Sequence, residues 1–470
     1  MPNSDPQATQ YHFCHSRKSG YTGTDIPMSK SLPLMLRHAM YNLRGGFLIR
    51  PLTIALALGA AGACLSWLEE EYPSVSAWVP AVLFPSHSDP QVAQVILAGI
   101  AASIMTVVSI VFAILLMTLT LASMQFSPRI IVSFSRDRVT QWTLGIFLGT
   151  FSYCMAALPA ARWMPHPFAP VATVLGAMVL ALTCVGLLLF FIHHISEAIS
   201  VSYIVDRIAA ETEAMIDDMM PWPHQINRLK YAEPLRPNPS EVAVSSQVSG
   251  YIRFVDTKRL VAVAKHYHVS VRVLRRVGHF VPAGIPLMMV SKGTRLPAEG
   301  AAELVAAFDF GPTRTLQQDV EFGVLQIVDI ALKAISPAVN DPTTAIGCID
   351  QLSRILIRFA SREGPEDLLY DPPGTVRASI GWIHFKRLVE AAFEQIRLYA
   401  KTDVAVSLRL LRALGDIAVS TEDPEFHQVL VEQGMRVVAG CAEKLGDDEL
   451  KELRGRQAAL ETVGGTDFSR

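Results

Sequence analysis

A run of small and hydroxylated side chains at helical spacing, Ala98, Ala102, Thr106, Ser109, Ala113 and Thr120, crosses an otherwise aliphatic stretch and concentrates weak polarity against an apolar background. In lipid such a stripe has two uses. Small residues and hydroxyls let helices approach closely and bond across the contact, and the same surface can line a hydrated path. Ala102, Thr106, Ser109, Ala113 and Thr120 are therefore candidate pore-lining residues, with helix packing as the competing reading. Gly145, Gly149, Ser152 and Ala156 repeat the theme further on, where the GxxxG step favours helix contact. No Asp, Glu, Lys or Arg lies in the middle of these stretches, which disfavours a proton relay or a charge-coupled transporter.

Other candidates are sparser. His193 and Glu197 stand one helical turn apart, a spacing that suits a metal or proton site and equally an interfacial polar girdle. His266 and His268 share a strand face without a third ligand, and the six cysteines form no CxxC pair, so neither a metal site nor a disulfide framework is expected. Asp319, Glu321 and Asp329 sit at spacings that do not converge on one point of a helix. With no Walker loop, GxGxxG, HExxH or nucleophile elbow, no enzyme and no cofactor are expected. The turn Ser336-Pro337-Ala338-Val339-Asn340-Asp341-Pro342-Thr343-Thr344 stops one helix and starts another, with Asn340 or Asp341 as cap. Its amides and the Thr343 and Thr344 hydroxyls could meet an anion, but Asp341 opposes that charge.

The elements that position these residues follow from composition. The 470-residue chain is 50% hydrophobic and 18% charged, its mean hydropathy is +0.31, and the apolar excess lies before Glu197. Membrane spans need about 20 apolar residues, which predicts four, over about 51–68, 91–124, 141–161 and 168–194, within a unit covering 35–220 after a disordered tail over 1–34. Arg37, Arg44, Arg50, Arg129, Arg136 and Arg138 flank one side, whereas the 69–90 loop carries only acids, so both termini are expected in the cytoplasm of a bacterium, with the spans in its inner membrane. The second span is too long for a bilayer core. Its projecting end leads into Ser127, Pro128 and Arg129 and a short amphipathic helix ending near Arg138; these three residues with Arg136, Asp137 and Gln141 are expected to couple membrane to cytoplasm.

Past the spans, an amphipathic extension reaches Met220, a Pro-rich linker covers 221–240, a small β domain 241–295 and a cytoplasmic helical domain 296–470. The fold class is thus membrane α-helical with a cytoplasmic α+β region, a small β-barrel or sandwich followed by a helical bundle. Val277 to Leu287 is similar to the second half of a biotinyl/lipoyl-type sandwich, although Lys292 lies short of a modifiable position. Helices are expected over Arg314 to Ile335, Pro342 to Ala360, Thr375 to Lys401, Asp403 to Val419 and Pro424 to Leu445.

Ser127-Pro128-Arg129 through Phe134 and Asp137, Gln141 with Leu144-Gly145 and Gly149-Thr150-Phe151, Gln318-Asp319 to Leu332, Ser336-Pro337 to Pro342, and Ala392 to Arg397 together resemble an uncharacterised bacterial group of predicted membrane proteins. The resemblance spans about 35–440 and implies the topology without an activity. Two functions are carried forward. One is an oligomeric channel or transport protein gated by its cytoplasmic domain; the other is a non-conducting membrane sensor or scaffold that binds a protein or small ligand through the bundle. The expected partners are the lipid bilayer, further copies of the chain and an unidentified ion or small ligand. A net charge of -2 gives no support for nucleic acid.

Overall fold

The computed structural model describes residues 49–72, 74, 89–125, 137–162, 168–198, 200–220, 240–291, 296–362, 364, 367–371 and 374–463. The tail over 1–34, Ser127, Pro128, Arg129, Arg136, Lys292 and almost all of the Pro-rich stretch lie outside the described residues.

Four helices occupy the apolar stretches: α1 (Ile49–Glu71), α2 (Pro90–Gln125), α3 (Arg138–Ala157) and α4 (Val171–Ala198). Each is long and apolar enough to cross a membrane, where backbone groups must pair within their own segment. At 36 residues α2 is about 54 Å long. Direction alternates, so the end of α1 and the start of α4 share a far end, while the start of α3 and the end of α4 share a near end beside the rest of the chain.

α1 lies along α3 because glycines on both helices remove the side chains between them. A Cβ on Gly149 would stand 2.4 Å from Leu58 Cδ1, one on Gly145 2.6 Å from Ile54 Cδ1, and one on Gly62 2.6 Å from the Tyr153 carbonyl oxygen. The GxxxG step is thus a helix contact. On the other side of α3, Leu144 and Phe147 pack with Ile104, Val108 and Val111 of α2 and with Phe191 of α4. Tyr153 and Cys154 pack with Ala93 and Leu97 of α2 and Val174 of α4.

After an extended residue at Ser200 (φ -62, ψ 127) the chain re-enters helix as α5 (Val201–Met219). The elements that follow are β1 (Val242–Ser245), β2 (Gly250–Val255), α6 (Thr257–His266), β3 (Val271–Val273), β4 (Phe280–Val281), β5 (Pro286–Val290), α7 (Ala298–Val305) and β6 (Phe308–Gly311). Then come α8 (Val320–Ala334), α9 (Pro342–Ala360), β7 (Leu368–Asp371), β8 (Thr375–Ser379), α10 (Phe385–Tyr399), α11 (Val404–Val419), α12 (Pro424–Cys441) and α13 (Asp447–Val463). The strands form a five-stranded sheet ordered β1-β5-β3-β8-β7, in which β3 and β8 are parallel, and a three-stranded sheet ordered β4-β2-β6. The lipoyl-like stretch is divided between the two sheets, β4 pairing with β2 and β5 with β1 and β3.

Several elements differ from their sequence expectation. The stretch expected to be helical from Thr375 begins with β8, and α10 starts only at Phe385. Helical periodicity downstream hides the strand pairing of β7 and β8. α8 starts at Val320 rather than Arg314, because Asp319 caps it by accepting from Phe322 N. The amphipathic α6 interrupts the β region. α5 and α8 to α13 enclose one core, which includes Ile204, Ile208, Val324, Ile349, Leu388 and Leu410, and the sheets with α6 and α7 enclose another.

Candidate functional site

Ala102, Thr106, Ser109, Ala113 and Thr120 all lie on the exposed side of α2, and Ala101, Ile104, Val108 and Val111 are buried on the other. Thr106, Ser109 and Thr120 donate to the carbonyls of Ala102, Met105 and Leu116, four residues back, at 3.1, 2.9 and 2.8 Å. Each hydroxyl is thereby satisfied within its own helix. The stripe takes no part in packing α2 against α3 and α4 and lies exposed.

Each end of the helix set is closed by a polar group in a low-dielectric setting. At the far end Glu69, 1% exposed, accepts from Ala172 N at 2.8 Å and from Thr173 N and Oγ1 at 3.0 Å each, which caps α4. Beside it Glu70 pairs with Arg162, and Gln94 donates to the Ala161 carbonyl at 2.7 Å. At the near end Asp137 accepts from Thr140 N at 2.9 Å and Thr140 Oγ1 at 2.6 Å, and His194 Nε2 lies 3.0 Å from the same oxygen. The coupling candidates thus divide. Asp137 ties α3 to α4, Gln141 is buried in the first turn of α3, and Ser127, Pro128, Arg129 and Arg136 fall outside the described residues. His193 and Glu197 pair at 3.7 Å with both side chains well exposed, whereas the histidine that links two helices is its neighbour His194. Spacing alone does not separate His193 from His194. The side on which Phe191 and Ile195 are buried also carries His194, and that helical phase is the available signal.

The last membrane helix is wired into the bundle through α5. Arg354 of α9 binds Asp206 and Glu213 at 2.8 and 2.6 Å, and Arg358 and Arg362 both bind Asp217. Between α5 and α8 the approach is closer still: a Cβ on Gly323 would stand 2.1 Å from Thr212 Oγ1. At the start of α8 Gln318 bonds both the amide and the carbonyl of Val255, at 2.9 and 3.3 Å. Asp319 takes both arms of Arg314 at 2.7 Å. Glu321 accepts from Arg276 and Arg314 at 3.1 Å and from Arg387 at 3.2 Å. Burial alone would raise the Glu321 carboxyl, but the three arginines hold it below its ordinary value. His279, which accepts from Arg276 Nε at 3.0 Å, is pushed down by burial and by that cation. The cluster clamps the sheet unit to α8 and α10. The cavity against it, lined by Met219, Met220, Arg276, Asp319 and Trp382 among others, measures ≈ 20 Å³, room for one water.

At the other end of α8, Ser336 Oγ donates to the Lys333 carbonyl at 2.7 Å, and Asn340 is left-handed (φ 51). Asp341 accepts from Thr344 N at 3.0 Å and Thr344 Oγ1 at 2.5 Å, which lowers its pKa and occupies the amides an anion would need. Thr343 is exposed. Among the described residues no group of three His, Cys, Asp or Glu could hold a metal ion.

An uncharacterized protein of Mycobacterium tuberculosis (strain ATCC 25618 / H37Rv) is 30% identical over 414 residues, covering 87% of this chain and 78% of its own length. An uncharacterized protein of Mycobacterium bovis gives the same identity and coverage. No solved structure matches. Residues 44–416, which include all four membrane helices and most of α11, match the family described as "Predicted membrane protein (DUF2254)", and the chain belongs to that family.

Proposed function

We propose that the protein is an oligomeric channel or transport protein of the bacterial inner membrane, its path lined between copies by the exposed face of α2 and gated by the C-terminal region through α5. The observation that carries this reading is the placement of Ala102, Thr106, Ser109, Ala113 and Thr120, a weakly polar face that the chain's own packing leaves uncovered. Such a face suits a conduit assembled from several subunits. The side-chain pairs between α5 and α9 supply a rigid connection from α4 to the bundle, as gating requires. Both termini are assigned to the cytoplasm by the arginine-rich flanks; Arg162, at the opposite end, is paired with Glu70.

A second reading, a non-conducting sensor or scaffold, is favoured by one specific observation. The α2 hydroxyls already donate to their own backbone and need no water. Flux through liposomes containing the purified protein, compared with Thr106→Leu and Ser109→Leu, separates the two. Ion-selective flux lowered by both substitutions supports the channel; silent liposomes holding folded protein favour the sensor.

A further inference from the structure

The ion pairs between α5 and α9 fix how the bundle is aimed. Arg354 reaches Asp206 and Glu213, whereas Arg358, further along α9, and Arg362, just past its end, reach Asp217, so α5 and α9 run parallel. Counted back at about 1.5 Å per residue, the start of α9 comes level with Ser200, where α4 passes into α5. α8 runs the opposite way. Gly323 near its start touches Thr212 of α5, and the same count brings its end level with Val201. The two registers, joined by the short turn in which Asp341 N donates to the Ala334 carbonyl, put the turn between α8 and α9 level with the end of the fourth membrane helix.

A second turn shares that end. Phe385, at the start of α10, stacks on Phe359 at the finish of α9 and on Phe426, with ring centroids 6.3 and 4.0 Å apart. Arg409 near the start of α11 pairs with Asp350 in the first half of α9. Hence α10 runs toward the α4 junction and α11 away from it, and the turn between them lies at the same level as Pro342.

These two turns expose what a headgroup layer accommodates. Val339 is 52% exposed at the tip of the first, and Leu398 and Tyr399 are 43% and 66% exposed entering the second. Lys333 is exposed and Lys401 half-buried beside them. The carboxylates in the turns face inward as helix caps, Asp341 on Thr344 and Asp403 on Val406. Amphipathic rings, aliphatic tips and lysines are the usual occupants of a membrane interface. α5, by contrast, carries exposed Glu211 and Asp218 besides Asp206 and Asp217, which pair with arginines of the bundle, so it leaves the membrane rather than lying along it. The end of the bundle is then what points at the lipid. The third turn at this end, after Cys441, which lies 3.4 Å from Ser407, bears exposed Glu443, Asp447 and Asp448 and stays with water.

We infer that the α8–α9 and α10–α11 turns rest on the phospholipid headgroups of the bilayer that α4 leaves, so that the bundle is seated on the membrane at two further points besides α5. This rests on the membrane helices and the bundle registers, not on conduction. The test places the photoreactive amino acid p-benzoylphenylalanine at position 339, 399 or 419 of the full chain in phospholipid liposomes, followed by intact-mass measurement after illumination. Val419 is the control, 72% exposed but at the opposite end of α11. Adducts of one phospholipid mass at 339 and 399, with none at 419, are expected. Absence of lipid adducts at 339 and 399, equal yields at all three positions, or cross-links to protein in their place would overturn the inference. All three side chains are exposed, so the folded chain is retained, and far-ultraviolet circular dichroism checks that it is.

Discussion

Glu69 and Thr173 are joined twice, the Glu69 carboxylate accepting from both the backbone N and Oγ1 of Thr173 at 3.0 Å while its other oxygen takes Ala172 N at 2.8 Å. A buried acid at the end of one apolar helix therefore supplies the cap of another. Glu69→Ala leaves these donors without a partner in a site that excludes water, a loss of about 1–3 kcal/mol. Glu69→Gln, which keeps one accepting oxygen, loses less. Thermal unfolding in detergent reads both; an unchanged midpoint for the alanine variant removes Glu69 from the list of structural contacts.

Gly149 has no room for a side chain against Leu58, whereas Gly186 of α4 has no atom within 4 Å of an added Cβ. Gly149→Leu is expected to separate α1 from α3 and to lower the yield of folded protein sharply, and Gly186→Leu to leave it unchanged. Comparing the monodisperse fractions of the two variants in size-exclusion chromatography measures the difference.

The closest approach between α5 and α8 predicts a compensating pair. Gly323→Ala drives a methyl onto Thr212 and should cost about 1–3 kcal/mol in spite of the better helix propensity of alanine. Thr212→Ala clears the space, so the double variant should recover most of that loss. A double-mutant cycle in denaturant checks it, and additive single effects would show that the two residues are not coupled.

Glu321 predicts the acid limb of stability. Its folded pKa lies below the ordinary 4.5, so the pairing with Arg276, Arg314 and Arg387 contributes fully above that value and is lost as pH falls through the lower, folded one. Between about pH 7 and pH 5 the group adds no pH dependence. Below that range stability falls in the wild type, and the slope is shallower in Glu321→Gln. Removing the side chain altogether, in Glu321→Ala, leaves Arg276 without its carboxylate while Arg314 keeps Asp319 and the exposed Arg387 keeps water, and costs about 1–3 kcal/mol.

The four apolar helices were legible because length and apolarity act within single segments. The helical partners of Gly145 and Gly149 were legible as a class of contact, though not as Ile54 and Leu58. Long-range polar pairs escaped the sequence: Glu69 reads as a loop acid until α4 is brought to it across 103 residues. Asp319, Glu321 and Asp329 do not converge along one helix. The charge that Glu321 meets comes instead from Arg276 and Arg387, on other elements. The β7–β8 hairpin was hidden for a similar reason, since β8 gains its place by pairing with β3, more than a hundred residues earlier. The sheet unit was visible as alternating apolar runs, but the division of its strands between two sheets is set by tertiary pairing.

One consequence of α5 concerns biogenesis. Ile204, Ile208, Met215 and Ile216 form part of the wall of the bundle core, and they are synthesised directly behind the fourth membrane helix. The fourth membrane helix therefore holds the first wall of the bundle at the bilayer before α8 to α13 exist. Those later helices must assemble onto a template already held at the membrane, and a fragment beginning after residue 220 would enter solution with an open apolar groove in place of α5.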